Sequence, residues 1–327
     1  MTTLPKILHF VHRFLKKNVS YCTLTLLTFN LSAQSDSKVR LAWKIAPNDS
    51  LVYKTIMAEI DSATNTAGLD PTLAFLIDSI KAQKIALKQA LSDSMPKNNF
   101  FKNKHGGAPL FSKLIGRTEG FIEVNMFFVK SEATKQADAK ELASILERDE
   151  KSASEKGVQL DSNYRKREAA RFTANPQMLS GSIFYEGGIR SFYLPSRDKN
   201  ILALFFELPQ KNLQIGDTWD LDVQIITMNL SQCDSSFKHH SVTLKDLKKQ
   251  GQDSIAVLEY NFVEFARGEF LGTEQIDTRY TAIAEFSLNK GKWLKYDGIM
   301  TVKMKGGFAD IFGQNEDMAQ FFSLKQN

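Results

Sequence analysis

The segment "RYTAIAEFSLNKGKWLKYDGIMTVKMKGG" (residues 279–307) decides the fold class of this 327-residue chain. Apolar and polar residues alternate on both sides of 289–291, "NKG", a short polar stretch with glycine that is typical of a hairpin turn. Neighbouring side chains of a strand point to opposite faces, so one face of the first strand is apolar. That face carries Tyr280, Ala282, Ala284, Phe286 and Leu288. The pattern predicts an antiparallel strand pair with one face directed to a core.

The same alternation recurs through the second half of the chain. Residues 241–265 and 180–195 each predict a hairpin, the latter with its turn at 186–188, "EGG". Residues 200–209, "NILALFFELP", are interpreted as a strand that ends at a sheet edge, because Pro209 has no backbone N–H to donate to a neighbouring strand. We therefore expect most of the folded domain to be antiparallel sheet.

Two segments far apart in the chain, "WKIAPNDSLVYKTIM" (43–57) and "ELPQKNLQIGDTWDLDVQII" (207–226), share a further pattern. Each has an apolar lead-in, a short polar turn and an alternating run. An aspartate in such a turn bonds its own backbone, and asparagine or glycine tolerates a left-handed conformation. The residues of this turn signature are Asn48, Asp49, Gly216, Asp217, Thr218 and Trp219. We expect two similar hairpins, with strands over 39–45 and 218–230, and no tandem repeat because no fixed period is present.

Two helices are predicted between the strands. Asp70 followed by Pro71 is a helix-start signal, and apolar residues then recur at helical spacing, which predicts an amphipathic helix near 71–93 that covers a sheet face. Residues 131–155 are charged and alanine-rich and predict a second helix, followed by more mixed charge to residue 171. The fold class is therefore α+β, mostly antiparallel β, arranged as a curved sheet, half-barrel or sandwich.

Phenylalanine is abundant, with 24 residues. Doublets inside apparent strands place one ring on each face, so both faces of the sheet should be covered there. A curved sheet wrapped on a helix would cover both, and its concave side could hold an apolar ligand; simple core packing explains the same rings. The candidate apolar lining is Phe127, Phe128, Phe205, Phe206 and Phe286.

The N-terminal residues 1–33 have the three-part layout of a secretory signal peptide: a basic start, an apolar stretch at 21–31 and a small-residue cleavage site at Ala33. A short interfacial helix or a lipid-modified Cys22 are the alternatives. The apolar stretch is too short for a membrane-spanning helix. This interpretation leaves 34–327 as a single β-rich domain with no transmembrane span, located in the periplasm, at the outer-membrane periphery or outside the cell.

Removal of the predicted leader changes the charge argument. The formal charge of +5 falls to +1, because residues 1–33 contain four basic residues and no acidic one. The charge-based reason to expect nucleic-acid binding is then lost. Cys233 is the remaining cysteine, so no internal disulfide is expected.

Motifs that carry chemistry are missing from the sequence. It contains no nucleophile elbow, phosphate loop, HExxH zinc motif or dinucleotide fingerprint. His239 and His240 are adjacent and would point to opposite faces of a strand, a poor arrangement for metal ligands. No catalytic residue, metal ligand or cofactor is predicted, and an enzyme ranks third among the functional hypotheses.

The motif ELP-x(6)-GDTW, here residues 207–219, together with "LAWKIAPNDSLVYKT" and "IAVLEYNFVEFARGEF", resembles a family of exported Bacteroidetes-type proteins with a domain of unknown function. The resemblance implies an envelope location and a β-rich fold, and it implies no reaction. The leading hypothesis is an extracytoplasmic, non-enzymatic binding protein for an apolar ligand such as a lipid, or for an envelope protein. The alternative is an assembly component that docks another envelope protein through residues 131–171.

Overall fold

In the described part of the chain, eleven strands form one antiparallel sheet and four helices accompany it. The structure is a computed structural model that describes residues 38–90, 109–159, 161, 163–193, 196–226, 233–270, 273–306 and 318–327. The predicted signal peptide, residues 1–33, lies outside the described residues. Val39–Asn327 form one compact unit. The predicted α+β class with a mostly antiparallel sheet is confirmed.

The strands are numbered β1 to β11 and the helices α1 to α4 in chain order. The strands are β1 Ser50–Glu59, β2 Leu110–Gly116, β3 Phe121–Phe128, β4 Gln177–Phe184, β5 Ile189–Tyr193, β6 Thr218–Trp219, β7 Ser235–Gln250, β8 Asp253–Phe270, β9 Thr273–Ser287, β10 Lys292–Lys305 and β11 Met318–Gln326. The helices are α1 Pro71–Ala90, α2 Glu132–Glu155, α3 Tyr164–Thr173 and α4 Ser196–Phe206.

Two meanders join side by side to make the sheet. The strand order is β5-β4-β3-β2-β1-β11-β10-β9-β8-β7-β6, so each strand pairs with its sequence neighbour except where β1 meets β11. The hairpin that opened the sequence analysis is β9–β10, and its turn contains Gly291 at φ 59°. The turn between β4 and β5 contains Gly187 at φ 92°, a left-handed conformation that favours glycine. Both turns fall where the sequence predicts them.

The main apolar core lies on one face of this sheet. It includes side chains from both meanders, such as Leu114 of β2 and Leu258 of β8, together with helix α4 and the two lead-in segments that contain Leu41 and Leu213. Helix α1 lies on the opposite face of the sheet. Its Leu73 and Ile77 pack in a second cluster with residues of β8, β9, β10 and β11, namely Val257, Ile283, Ile299, Ala319 and Phe321.

The strand predicted over residues 200–209 is wrong, because Ser196–Phe206 form helix α4. A short, continuously apolar run is compatible with a buried strand or a buried helix, and periodicity does not separate the two. Leucine and alanine favour the helix, and residues 202–206 are all buried. Phe205 and Phe206 therefore lie on a buried helix and do not face opposite sides of a strand.

The strands predicted over 39–45 and 218–230 are also wrong over most of their described length. Val39 makes an isolated bridge to Leu213, and the second segment is a strand at Thr218–Trp219 and not at 220–226. Alternating burial persists in 220–226, where Leu221 and Val223 are buried and their neighbours are exposed. The backbone of this segment forms hydrogen bonds with side chains and not with a neighbouring strand. The alternation of buried and exposed residues therefore occurs here without strand pairing.

Candidate functional site

The two predicted turns have the same backbone conformation. Asn48 lies at φ 67° and Gly216 at φ 91°. In the first turn the N–H of Asp49 donates to the carbonyl of Ala46 at 3.0 Å, and in the second the N–H of Asp217 donates to the carbonyl of Gln214 at 3.0 Å. A four-residue turn with positive φ at its third residue is of the type II kind, which requires glycine or asparagine there.

Both turns also bind a neighbouring strand in the same way. The N–H of Asn48 donates to Gly116 at the end of β2 at 2.9 Å, and Gly116 donates back to Asp49 at 3.1 Å. The N–H of Gly216 donates to Leu244 of β7 at 2.8 Å, and Leu244 donates back to Asp217 at 3.0 Å. The likeness between the two sequence segments thus reflects one way of starting a strand, used once for β1 and once for β6.

The remaining signature residues have structural roles. The Asp49 carboxylate accepts the N–H of Ser50 at 2.7 Å, and the Asp217 carboxylate accepts the N–H of Gln214 at 3.0 Å. Thr218 and Trp219 are the two residues of β6 and pair with Thr243 and Val242 of β7. These contacts orient the chain and leave the turn residues without an evident chemical role.

The candidate apolar lining does not surround one space. Phe286 is buried, with its ring centroid 5.0 Å from that of Trp293 and 5.4 Å from that of Trp43. Phe205 and Phe206 are buried in the same aromatic cluster. Rings at these separations are in direct contact. In this part of the core the aromatic side chains therefore pack directly against one another.

The other two candidate residues lie on opposite faces of β3. Phe128 packs against the main core. Phe127 is on the other face, partly buried, and stacks on Phe111 of β2 with centroids 6.3 Å apart. The prediction that a strand doublet faces both ways therefore holds for Phe127 and Phe128.

The end of helix α4 is capped by aromatic side chains, which the sequence analysis missed. The last carbonyls of a helix have no intrahelical partner. Here the indole N–H of Trp43 donates to the carbonyl of Phe206 at 3.0 Å, and that of Trp293 to the carbonyl of Phe205 at 2.7 Å. The Tyr296 hydroxyl donates to the carbonyl of Leu204 at 2.8 Å. Three buried donors thus fix the helix inside the core.

Glu207 follows this helix and has an unusual environment. Its Oε2 is buried without a hydrogen-bond partner among the described residues. Burial raises the pKa of Glu207, Lys199 opposes the rise, and the nearby Asp222 and Asp220 add to it. The indole N–H of Trp219 is likewise buried and unpartnered within the described ranges. Among the described residues, the ELP-x(6)-GDTW motif therefore begins and ends with a residue that has a buried polar atom without a hydrogen-bond partner.

We expect Glu207→Gln to stabilise the protein by about 1 kcal/mol at pH 7, because burial disfavours the carboxylate. The folded pKa lies above the usual value of 4.5, so the ionised group destabilises the fold above that folded pKa. The gain should shrink as the pH falls towards 4.5. Urea unfolding at pH 7 and at pH 4.5 measures it, with the exposed Glu186→Gln as control. A destabilised Glu207→Gln variant at pH 7 would show that the carboxylate has a favourable partner.

A two-helix arm, residues 131–174, is inserted between β3 and β4. Ser131 caps α2 by accepting the N–H of Thr134 at 3.1 Å. Helices α2 and α3 contact each other, the Tyr164 hydroxyl donates to Asp149, and Arg165 pairs with Glu150 at 2.5 Å. Neither helix has a buried residue. The arm is thus held together mainly by polar contacts between its own helices.

The far end of the arm has an open pocket of about 290 Å³. Val158, which is 60% exposed, lines it together with Glu150, Asp161 and Arg165. The pKa of Asp161 is lowered by the backbone N–H of Asn163 and by Arg167. An open, shallow pocket with a mostly polar lining fits a side chain of another macromolecule better than a buried small molecule.

Comparison of the chain with protein-family models, with curated proteins and with solved structures found no match. Across the ranges that the structure covers, no helix has the length and apolar character needed to cross a membrane. The described side chains also include no group of three or more histidine, cysteine, aspartate or glutamate residues placed to hold a metal ion.

Proposed function

We propose that this chain is an extracytoplasmic, non-enzymatic binding protein that docks a protein partner in the cell envelope through the arm. The observation that carries the proposal is that α2 and α3 comprise 24 and 10 residues and bury none of them. The N-terminal pattern of residues 1–33 supports export to the periplasm, the outer-membrane periphery or the cell exterior.

The lack of packing between the arm and the rest of the protein argues for a binding partner. Most helical stability in proteins comes from packing an apolar face against other elements. None of the apolar clusters formed by the described residues includes a side chain of the arm. The sheet and its core are therefore complete without α2 and α3, and a long pair of exposed helices is explained by binding.

We also infer that the sheet curves around α4 as a half-barrel. Leu202 packs on Gly181 of β4, and the carbonyl of Leu204 accepts the Tyr296 hydroxyl of β10. In the strand order β4 and β10 are five positions apart, about 24 Å in a flat sheet. Residues two apart in a helix contact both strands only if the sheet wraps around them.

An apolar ligand remains a hypothesis with less support. The interior of the half-barrel would be the natural place for a lipid, but α4 and its aromatic caps occupy the described core there. Such a ligand would have to displace α4 or bind elsewhere. The arm needs no rearrangement to bind a partner, so we rank protein docking first.

Deletion of residues 131–174 tests the proposal. The two ends of the arm lie together, since the N–H of Phe128 donates to Pro176 at 2.9 Å and that of Lys130 to the Asn175 side chain at 3.3 Å. A two-residue glycine linker can therefore close the gap. We expect the unfolding free energy to change by less than about 1 kcal/mol, while capture of an envelope partner is lost.

The measurement combines thermal unfolding with capture from solubilised envelopes, followed by mass spectrometry. Glu119→Ala, in the exposed turn between β2 and β3, is the control and should capture the partner normally. Undiminished capture by the folded deletion variant would remove the arm from the binding site.

A further inference from the structure

We infer that the arm binds a second copy of this chain, and that two arms associate as an antiparallel four-helix bundle. This inference rests on the proposed role of the arm as a docking element. It goes further by naming the partner, and it depends on the apolar seam and the charge distribution of α2 and α3.

The first observation is an apolar seam that the two helices of the arm bury only in part. Leu142, Ile145 and Leu146 of α2 and Ala169 and Phe172 of α3 are partly buried, and none is fully buried. Their spacing of three and four residues puts each set on one side of its helix. Two helices alone cannot enclose such a seam, whereas four packed helices enclose it as a core.

The second observation is that the two helices carry opposite charge. Helix α2 has seven acidic and four basic residues, and α3 has one acidic and four basic residues. In the proposed bundle, a two-fold axis places α3 of each copy beside α2 of the other. Both contacts then join opposite charges, so the arm is complementary to itself.

Several of these charges are available to a partner. Glu141 and Glu147 of α2 and Lys166 of α3 are exposed and make no ion pair among the described residues. Arg171 is 78% exposed at its side chain and lies 3.8 Å from Glu168 of its own helix. By contrast, Arg165 already pairs across the arm with Glu150. Glu141 and Lys166 lie about 90° around their helices from the apolar seam, at its edge, where a second arm would meet them.

Paired charge-reversal variants give a direct test. One variant carries Lys166→Glu and Arg171→Glu and makes both helices acidic; the other carries Glu141→Lys and Glu147→Lys and makes α2 basic. Each alone should dimerise at least about 10-fold more weakly than the wild type, because like charges then meet in both contacts. A one-to-one mixture should form a heterodimer with an affinity within about 3-fold of the wild-type dimer, because every contact again joins opposite charges.

Sedimentation equilibrium of the full chain at concentrations between about 1 and 100 µM detects a dimer with a micromolar dissociation constant. Circular dichroism verifies that the variants keep their helices, and Glu119→Lys, outside the arm, should dimerise like the wild type. A monomeric wild type would overturn the inference but not the proposed function, which the capture experiment decides separately. A wild-type dimer that both reversals leave intact would also overturn it, since the contact would then lie elsewhere.

Discussion

Trp293→Ala is expected to lower the free energy of unfolding by about 4 kcal/mol, a large part of the roughly 5–15 kcal/mol that stabilises an ordinary protein. The indole is fully buried and its ring contacts Trp43, Phe286 and Tyr296. It also donates to the carbonyl of Phe205 at 2.7 Å. The substitution therefore opens a large cavity and removes a cap from α4 in one step.

Trp293→Phe separates these two effects. It keeps an aromatic ring in the cluster but leaves the carbonyl of Phe205 without its donor, and a buried unsatisfied polar group costs about 1–3 kcal/mol. Trp219→Phe is the matched control, because its indole N–H has no partner in the described structure. Urea unfolding followed by circular dichroism should rank Trp293→Phe well below Trp219→Phe in stability. Equal losses would mean that ring size alone matters and that the cap contributes nothing.

The hairpins could be predicted because their information is local. In β9 and β10 the apolar residues alternate over a long run, and the turn contains Gly291, whose left-handed backbone few other residues adopt. The two similar turns were recognisable for the same reason, since Asn48 and Gly216 occupy equivalent left-handed positions. Each signal is complete within a short stretch of chain.

The interior could not be predicted because its contacts are distant in sequence. Trp43 bonds a carbonyl 163 residues away and Trp293 one 88 residues away. With those donors in position, the residues around Phe205 form a capped helix. None of the residues next to Phe205 in the sequence indicates that the donors are present. The surroundings of the candidate lining could not be predicted for the same reason: composition indicates that rings are buried and does not indicate what they are buried against.

The docking element was predictable only in outline. Mixed charge and few strong apolar residues marked residues 131–171 as a solvated surface or a docking surface. The structure adds that α2 and α3 contact each other and contain no fully buried residue. That separation from the core is a tertiary property, which is why the sequence left the two interpretations open.

The carboxylate of Glu264 should make a large pH-dependent contribution to the free energy of unfolding. This buried carboxylate accepts the N–H of Ile225 at 2.9 Å and that of Ile226 at 2.7 Å, and so holds segment 220–226 against β8. The Nε2 of His240 lies 2.9 Å from Oε1. Glu264→Ala is expected to lower the free energy of unfolding by about 3–5 kcal/mol, because it leaves these donors buried without their acceptor.

The pH dependence follows from the direction of the pKa. Burial alone would raise the pKa of Glu264, but His240 and the two backbone N–H groups outweigh it and hold the pKa below the usual 4.5. A carboxylate with a lowered folded pKa stabilises the protein fully above pH 4.5, and this stabilisation is lost as the pH falls through the folded value. The wild type should therefore lose more stability between pH 7 and pH 3 than Glu264→Gln, which has no carboxylate to protonate.

Urea unfolding of both proteins at pH 7, 4.5 and 3 measures the difference. Glu259→Gln is the matched control on the same strand, since Glu259 is partly exposed and pairs with Lys245 at the surface at 2.9 Å. A surface pair of this kind contributes about 1 kcal/mol or less, so its effect should be small at every pH. If the gap between wild type and Glu264→Gln stays constant down to pH 3, the backbone of 220–226 is held by packing, and the charge on Glu264 is incidental to it.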